Sequence, residues 1–271
     1  MSIPPLACIG YRVHSRTDLN PPAMTVPDDL APSVPPASVK PASLWEDFID
    51  IFVSPSEVFE RRRNSGFFVP LLVYAIFTVA IMIVGRSALQ PIMDSEFSRG
   101  VAAAVRKNPQ ISQEQMESVR GLTEKFTPII IGVTAIIQPL LVGVLLWLAG
   151  KLVDAKEDIG AACMIAVYAV LPRIIDTVLR VGQAAMLDPS TLNGQYRVTL
   201  SPARFLNPDA SSATLIAILG RFDLFTIWVT ILLAIGLSVV AKIPRSKAAI
   251  AAIVVWLLGS VPILFGAIRA S

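Results

Sequence analysis

Arg173, Asp176 and Arg180 are the residues best placed to do chemistry, because they are charged and lie in an otherwise apolar run, 159–181. Their spacing of i, i+3 and i+7 sets all three within about 60° of one helix face. A lone charge at mid-bilayer costs ~2.5–3.5 kcal/mol, so such groups pair, face a bundle interior or mark a pathway. Asp176 can reach either arginine, and Arg180, near the end of the run, can snorkel to the interface. Pro172, just before them, frees a carbonyl and predicts a kink. Two readings follow. One is a polar pocket or solute path on this helix; the other is a self-neutralised structural stripe with Asp223 as a further partner. If Asp176 neutralises the arginines, destabilisation should fall in the order Asp176→Ala, Arg173→Ala, Arg180→Ala. Gln138-Pro139 interrupts a second apolar run, where Gln138 is expected to hydrogen-bond across helices and Pro139 to kink.

Other chemistries lack their residues. The 271-residue chain has one histidine, His14, and two cysteines, Cys8 and Cys163. That excludes a zinc site, a haem His/His pair and a disulfide framework. No G-x-S-x-G, H-E-x-x-H, Walker A or G-x-G-x-x-G pattern occurs. No catalytic residue, metal or cofactor is therefore expected, and the chain reads as a non-enzyme. Its net charge of +3 is spread along the sequence, which gives no footprint for nucleic acid.

The elements that position these residues are set by the solvent. Apolar residues make up 54% of the chain and charged ones only 16%, against roughly a quarter in soluble domains. Five apolar runs, at about 67–85, 129–150, 159–181, 222–241 and 248–268, each approach the ~20 residues that cross a bilayer as a helix. Continuous apolarity without period-two alternation excludes a barrel. The expectation is an all-α membrane protein, a five-transmembrane-helix bundle with N-terminal interfacial helices and two long extracytoplasmic loops.

Two regions divide the chain. Residues 1–43 carry nine prolines and no apolar period, which predicts a disordered tail dispensable for insertion; Met24 is an alternative start. Residues 44–271 form the membrane domain. Within it, 44–60 reads as two amphipathic helices in the interface, or packed on the bundle, with Ser54 to Glu57 as a capping box. Loop 86–128 predicts two amphipathic helices broken at Asn108-Pro109. Loop 182–221 predicts a small hairpin at Asn193-Gly194 and a short helix from Ala213 capped by Ser211 or Ser212. Gly143 and Gly150, like Gly259 and Gly266, are seven apart on one face and predict close helix approach. Eight basic residues (Arg61, Arg62, Arg63, Lys151, Lys156, Lys242, Arg245, Lys247) fall in short flanks on one side. The positive-inside rule then makes the N-terminus cytoplasmic and the C-terminus extracytoplasmic in a cell membrane.

The segment Phe52-Val53-Ser54-Pro55-Ser56-Glu57-Val58-Phe59 and the fourth run's opening, Asp223-Leu224-Phe225-Thr226-Ile227-Trp228, resemble the Yip1-domain membrane proteins. So do Leu232-Leu233-Ala234-Ile235-Gly236-Leu237 and the basic turn Pro244-Arg245-Ser246-Lys247, which are similar to the prokaryotic branch. The resemblance covers roughly 45–268 and implies a five-span bundle with a cytoplasmic N-terminus. Eukaryotic members bind prenylated Rab GTPases and carry an Asp-Leu-Tyr-Gly-Pro type motif before the first span. That motif is absent here, so Rab-type GTPase binding does not carry over. The expected partners are the lipid bilayer, other membrane proteins or a second copy. Two functions compete: an adaptor or organising protein, and a small transporter or channel component built around span 3.

Overall fold

The computed structural model describes residues 43–270. The Pro-rich stretch expected to form a tail lies outside them, as does Cys8. All regular structure among the described residues is helical. Helix α1 (Leu44–Val53) opens on a capping box formed by Ser43 and Glu46. Helix α2 (Pro55–Arg62) follows after Ser54, with proline at its first position. The box expected at Ser54 does not form, because the Ser54 side chain makes no cap hydrogen bond.

The first span, α3 (Phe68–Val84), turns at Gly85 through 82° into α4 (Arg86–Lys107). Helix α5 (Gln113–Lys151) starts from the Ser112–Gln115 capping box. Its 39 residues run without a break through Pro128, where a loop boundary was expected. At 1.5 Å per residue it is about 58 Å long, nearly twice the hydrocarbon thickness. Its first half therefore extends beyond the span and lies beside α4, tied to it by Arg120–Asp94 at 2.7 Å.

The third span is two pieces, α6 (Ile159–Val170) and α7 (Arg173–Met186), separated at Leu171-Pro172 as the proline predicted. Helix α6 is the axis of the bundle. Ala162 to Val170 are all buried, and α5 and α9 pack on it. A helix surrounded by protein must be apolar all round, and α6 is. The close approach needs small residues: a Cβ on Gly143 would sit 2.7 Å from the Cys163 Cα, and one on Gly236 2.5 Å from the Ile165 Cγ2. Gly259 and Gly266, by contrast, have no such neighbour, so the second expected glycine face is not a packing face.

Residues 187–212 hold three 3-10 turns (Pro189–Thr191, Gln195–Val198, Pro202–Phe205) in place of the expected hairpin. The two-residue turn loses to local and tertiary hydrogen bonds. Arg99 donates to the Asn193 carbonyl at 2.6 Å, and Glu96 accepts from the Gln195 N–H at 3.0 Å, which docks the segment on α4. Helix α8 (Ala213–Gly220), capped by Ser212, leads into α9 (Leu224–Ala241), capped by Asp223. Helix α10 (Arg245–Ala270) is the last of the described elements. Branched apolar residues on the outer faces of α5 and α10, Ile130, Ile137, Leu141, Ile253, Leu257 and Val261 among them, are exposed. Such a surface is stable against lipid and not against water. The fold is an all-α membrane bundle with, among the described residues, four helices long and apolar enough to cross (α6 and α7 counted as one), or five with the bent α3–α4 pair.

Candidate functional site

The charged stripe of span 3 separates into two sites. The Arg180 Nε donates to Asp176 at 2.8 Å, and its Nη2 lies 3.8 Å from the Asp223 carboxylate. The Asp176 and Asp223 side chains are 7% and 5% exposed, so this node is closed. Asp223 is further tied down by the backbone. Its Oδ1 accepts the Phe225 and Thr226 N–H groups that start α9, and its Oδ2 accepts the Leu200 N–H at 3.1 Å. One carboxylate thus caps a helix, pins the 187–212 segment and faces Arg180.

Arg173 takes no part in that node. Its Nη2 donates to the Thr226 hydroxyl at 3.3 Å, while its Nε is buried with no hydrogen-bond partner. It lines a cavity of about 300 Å³ between α5, α7, α9 and α10, together with Gln138 and Arg221. Gln138, expected to bridge helices, instead sits in this wall. The Arg221 Nε donates to the Ser260 hydroxyl at 2.8 Å, its Nη2 to the Trp256 carbonyl at 3.1 Å, and the guanidinium lies 5.4 Å from the Trp256 ring centroid. Burial pushes Arg221 below the usual arginine value, and the like charge of Arg173 adds to the effect. Among the described residues, no carboxylate lies within ion-pair distance of either arginine.

Two further sites escaped sequence reasoning. Asp47, fully buried, accepts from Arg61 at 2.6 Å and from Arg62 at 2.5 Å, and Arg61 also reaches Asp50 at 2.8 Å. This knot clamps α1 on α2 and turns Trp45, Ile49 and Val53 outward as an exposed apolar stripe at i, i+4 and i+8. Helix α1 is thus apolar on both faces, with Ile51 buried beside Asp47 and Trp45, Ile49 and Val53 outside. The signal was available: Asp47 and Ile51 share one face, and Arg61 and Arg62 follow at the end of the next helix. At the same end of the bundle Glu157 is 6% exposed, and neither of its carboxylate oxygens has a hydrogen-bond partner. Burial pushes its carboxyl above the ordinary value, and the nearby Lys151 opposes that shift only in part.

The profile of the Yip1 domain matches residues 49–266. The chain belongs to the Yip1-domain family. Over 212 residues it is 28% identical to the membrane protein YknW of Bacillus subtilis (strain 168), covering 76% of this chain and 83% of that one. No solved structure matches. Gln138, Arg173, Asp176, Arg180, Arg221 and Asp223 all lie inside the Yip1-domain match, whereas Asp47 lies two residues before its start.

Proposed function

We propose that this Yip1-domain protein is a non-enzymatic adaptor that organises membrane through lipid and partner-protein contacts. The observation that carries the reading is the closure of Asp176, Arg180 and Asp223 on one another, which makes this charge cluster a strut between α7 and α9. The outward apolar stripe of α1 supports a helix seated in the membrane interface. The paired extension of α4 and α5 supports an arm for a partner protein. The eight basic residues of the short flanks support a cytoplasmic N-terminus and an extracytoplasmic C-terminus.

A second reading, a small carrier, is favoured by one observation: the cavity that Arg173, Arg221 and Gln138 line. Reconstitution separates the two. Proteoliposomes of the adaptor take up chloride, phosphate and small carboxylates no faster than empty vesicles, and photocrosslinkers at Trp45 and Ile49 label lipid. Protein-dependent uptake that Arg173→Gln abolishes would establish the carrier. For orientation, reporter fusions at Ala155 and Ser246 should read cytoplasm, and those at Gln110, Asn193 and Ser271 the outside. An outside signal at Ser246 with an inside one at Ser271 overturns it.

A further inference from the structure

Positive charge in an apolar wall is normally matched by a carboxylate, as Arg180 is by Asp176. The cavity between α5, α7, α9 and α10 breaks this pattern. Arg173 and Arg221 both face it, and the acids nearest in sequence, Asp176 and Asp223, are held by Arg180 and by backbone N–H groups. Arg173 keeps one buried N–H donor unanswered, at the Nε. Arg221 is fixed by Ser260 and the Trp256 carbonyl, so its orientation does not depend on a ligand arriving. A site that holds two cations ready and supplies no anion is complete only with an anion from outside the chain.

The chemistry of that anion can be narrowed. Two guanidinium forks suit an oxyanion with several acceptor oxygens, and the match is best for phosphate. Gln138 and Thr226, on the same wall, offer further polar contacts. The rest of the lining is hydrocarbon, with Leu141, Leu145, Leu258 and Ile263 among it. Leu141 and Leu258 are also exposed on the outer surface of the bundle, so the apolar wall reaches the face that lipid chains cover. We propose that this cavity binds the phosphate group of an anionic amphiphile, with the head group between Arg173 and Arg221 and the hydrocarbon along α5 and α10. The inference is independent of the adaptor reading: it concerns occupancy, while that reading fails only by solute flux.

The test uses the full chain purified in detergent, with thermal unfolding and native mass spectrometry as readouts. The probes are phosphatidylglycerol, phosphatidylcholine and inorganic phosphate. Phosphatidylglycerol should raise the melting temperature and remain bound, and phosphatidylcholine should do neither. Arg173→Gln and Arg221→Gln should each weaken retention by about tenfold or more, the loss expected for one charge-assisted pair. Arg173→Gln should melt no lower than wild type when lipid-free, because it removes an uncompensated charge, whereas Arg221→Gln also loses its bonds to Ser260 and the Trp256 carbonyl and should melt somewhat lower. Arg180→Gln, which touches only the closed node, should keep the lipid preference. If inorganic phosphate alone gives the shift and the two variants lose it, the anion site stands with a soluble source. Equal retention of both lipids by wild type, or a phosphatidylglycerol shift unchanged in Arg173→Gln and Arg221→Gln, overturns the proposal. Should a variant fail to fold, the lipid preference of the wild-type chain decides.

Discussion

The span 3 charges give the sharpest mutational prediction, because the structure reorders what spacing alone suggests. Arg180→Ala removes the only ion-pair partner that Asp176 has among the described residues, leaving a buried carboxylate unanswered. Breaking a buried pair in this way costs ~3–5 kcal/mol, and the 29% exposure of Arg180 argues for the lower end, about 3 kcal/mol. Asp223 moderates the loss, since its three backbone N–H donors remain. Asp176→Ala leaves Arg180 facing Asp223 at 3.8 Å, so it should cost less, about 2 kcal/mol. Arg173→Ala removes a cation with no carboxylate beside it and one orphaned donor, and should cost the least, below about 1 kcal/mol. The assay is a double-mutant cycle in detergent, read by thermal unfolding. Asp176 and Arg180 should show a coupling of about 1–3 kcal/mol, and Asp176 and Arg173 none beyond ~0.5 kcal/mol. If Arg173→Ala proves the costliest single change, or if the 176–180 coupling is zero, the assignment of partners is wrong.

Glu157 should make stability pH-dependent. Burial raises its folded-state pKa, so stability falls as pH climbs from the ordinary carboxyl value, about 4.3, to the raised one and is level above it; Glu157→Gln, which keeps the shape without the charge, should gain on wild type as pH rises across that window. A difference that stays constant across that range would show that the charge is not the cause. Gly236→Ala places a Cβ 2.5 Å from the Ile165 Cγ2 and 3.1 Å from the Phe59 ring, and should cost about 1–3 kcal/mol by overpacking, measurable by the same melt. Asp47→Ala should free α1 from α2 at a cost of about 3 kcal/mol and open the Arg62–Arg63 bonds to trypsin; unchanged cleavage would refute the clamp.

The spans were legible because lipid imposes a one-dimensional rule. Backbone groups in hydrocarbon must bond within their own helix, so apolar length marks each crossing and Pro172 marks the break in the third. The caps at Ser112 and Ser212 were legible for a similar reason, since a helix start is a local event. The misreadings arose where long-range contacts decide. Asn193-Gly194 has hairpin chemistry, yet Arg99 and Glu96, nearly a hundred residues earlier, hold that segment in 3-10 turns. The apolar run that begins at Ile129 suggested a boundary there, but the helix continues through Pro128, since a proline removes one hydrogen bond and bends a helix more readily than it ends one whose flanks both favour helix.

The candidate site was half legible, and the missing half shows what spacing omits. A helix places Asp176 three residues after Arg173 and four before Arg180, and both separations bring side chains together. Direction distinguishes them: an acid N-terminal to its base at i, i+4 is the better pair, which describes Asp176–Arg180. Once that pair forms, Arg173 has no acid on its own helix, and its surroundings are set by α9 and α10. Arg221 could not be linked to it from sequence, because it lies 48 positions further along, beyond α7, three 3-10 turns and α8. What brings them together is the Asp223 cap, which fixes where α9 begins and hence where Arg221 enters the bundle. The Asp223 cap, rather than the Arg180 pair, therefore positions the open site. Losing the Asp223 cap should disturb the cavity as well as the strut, whereas changing Arg173 or Arg221 should leave the strut intact.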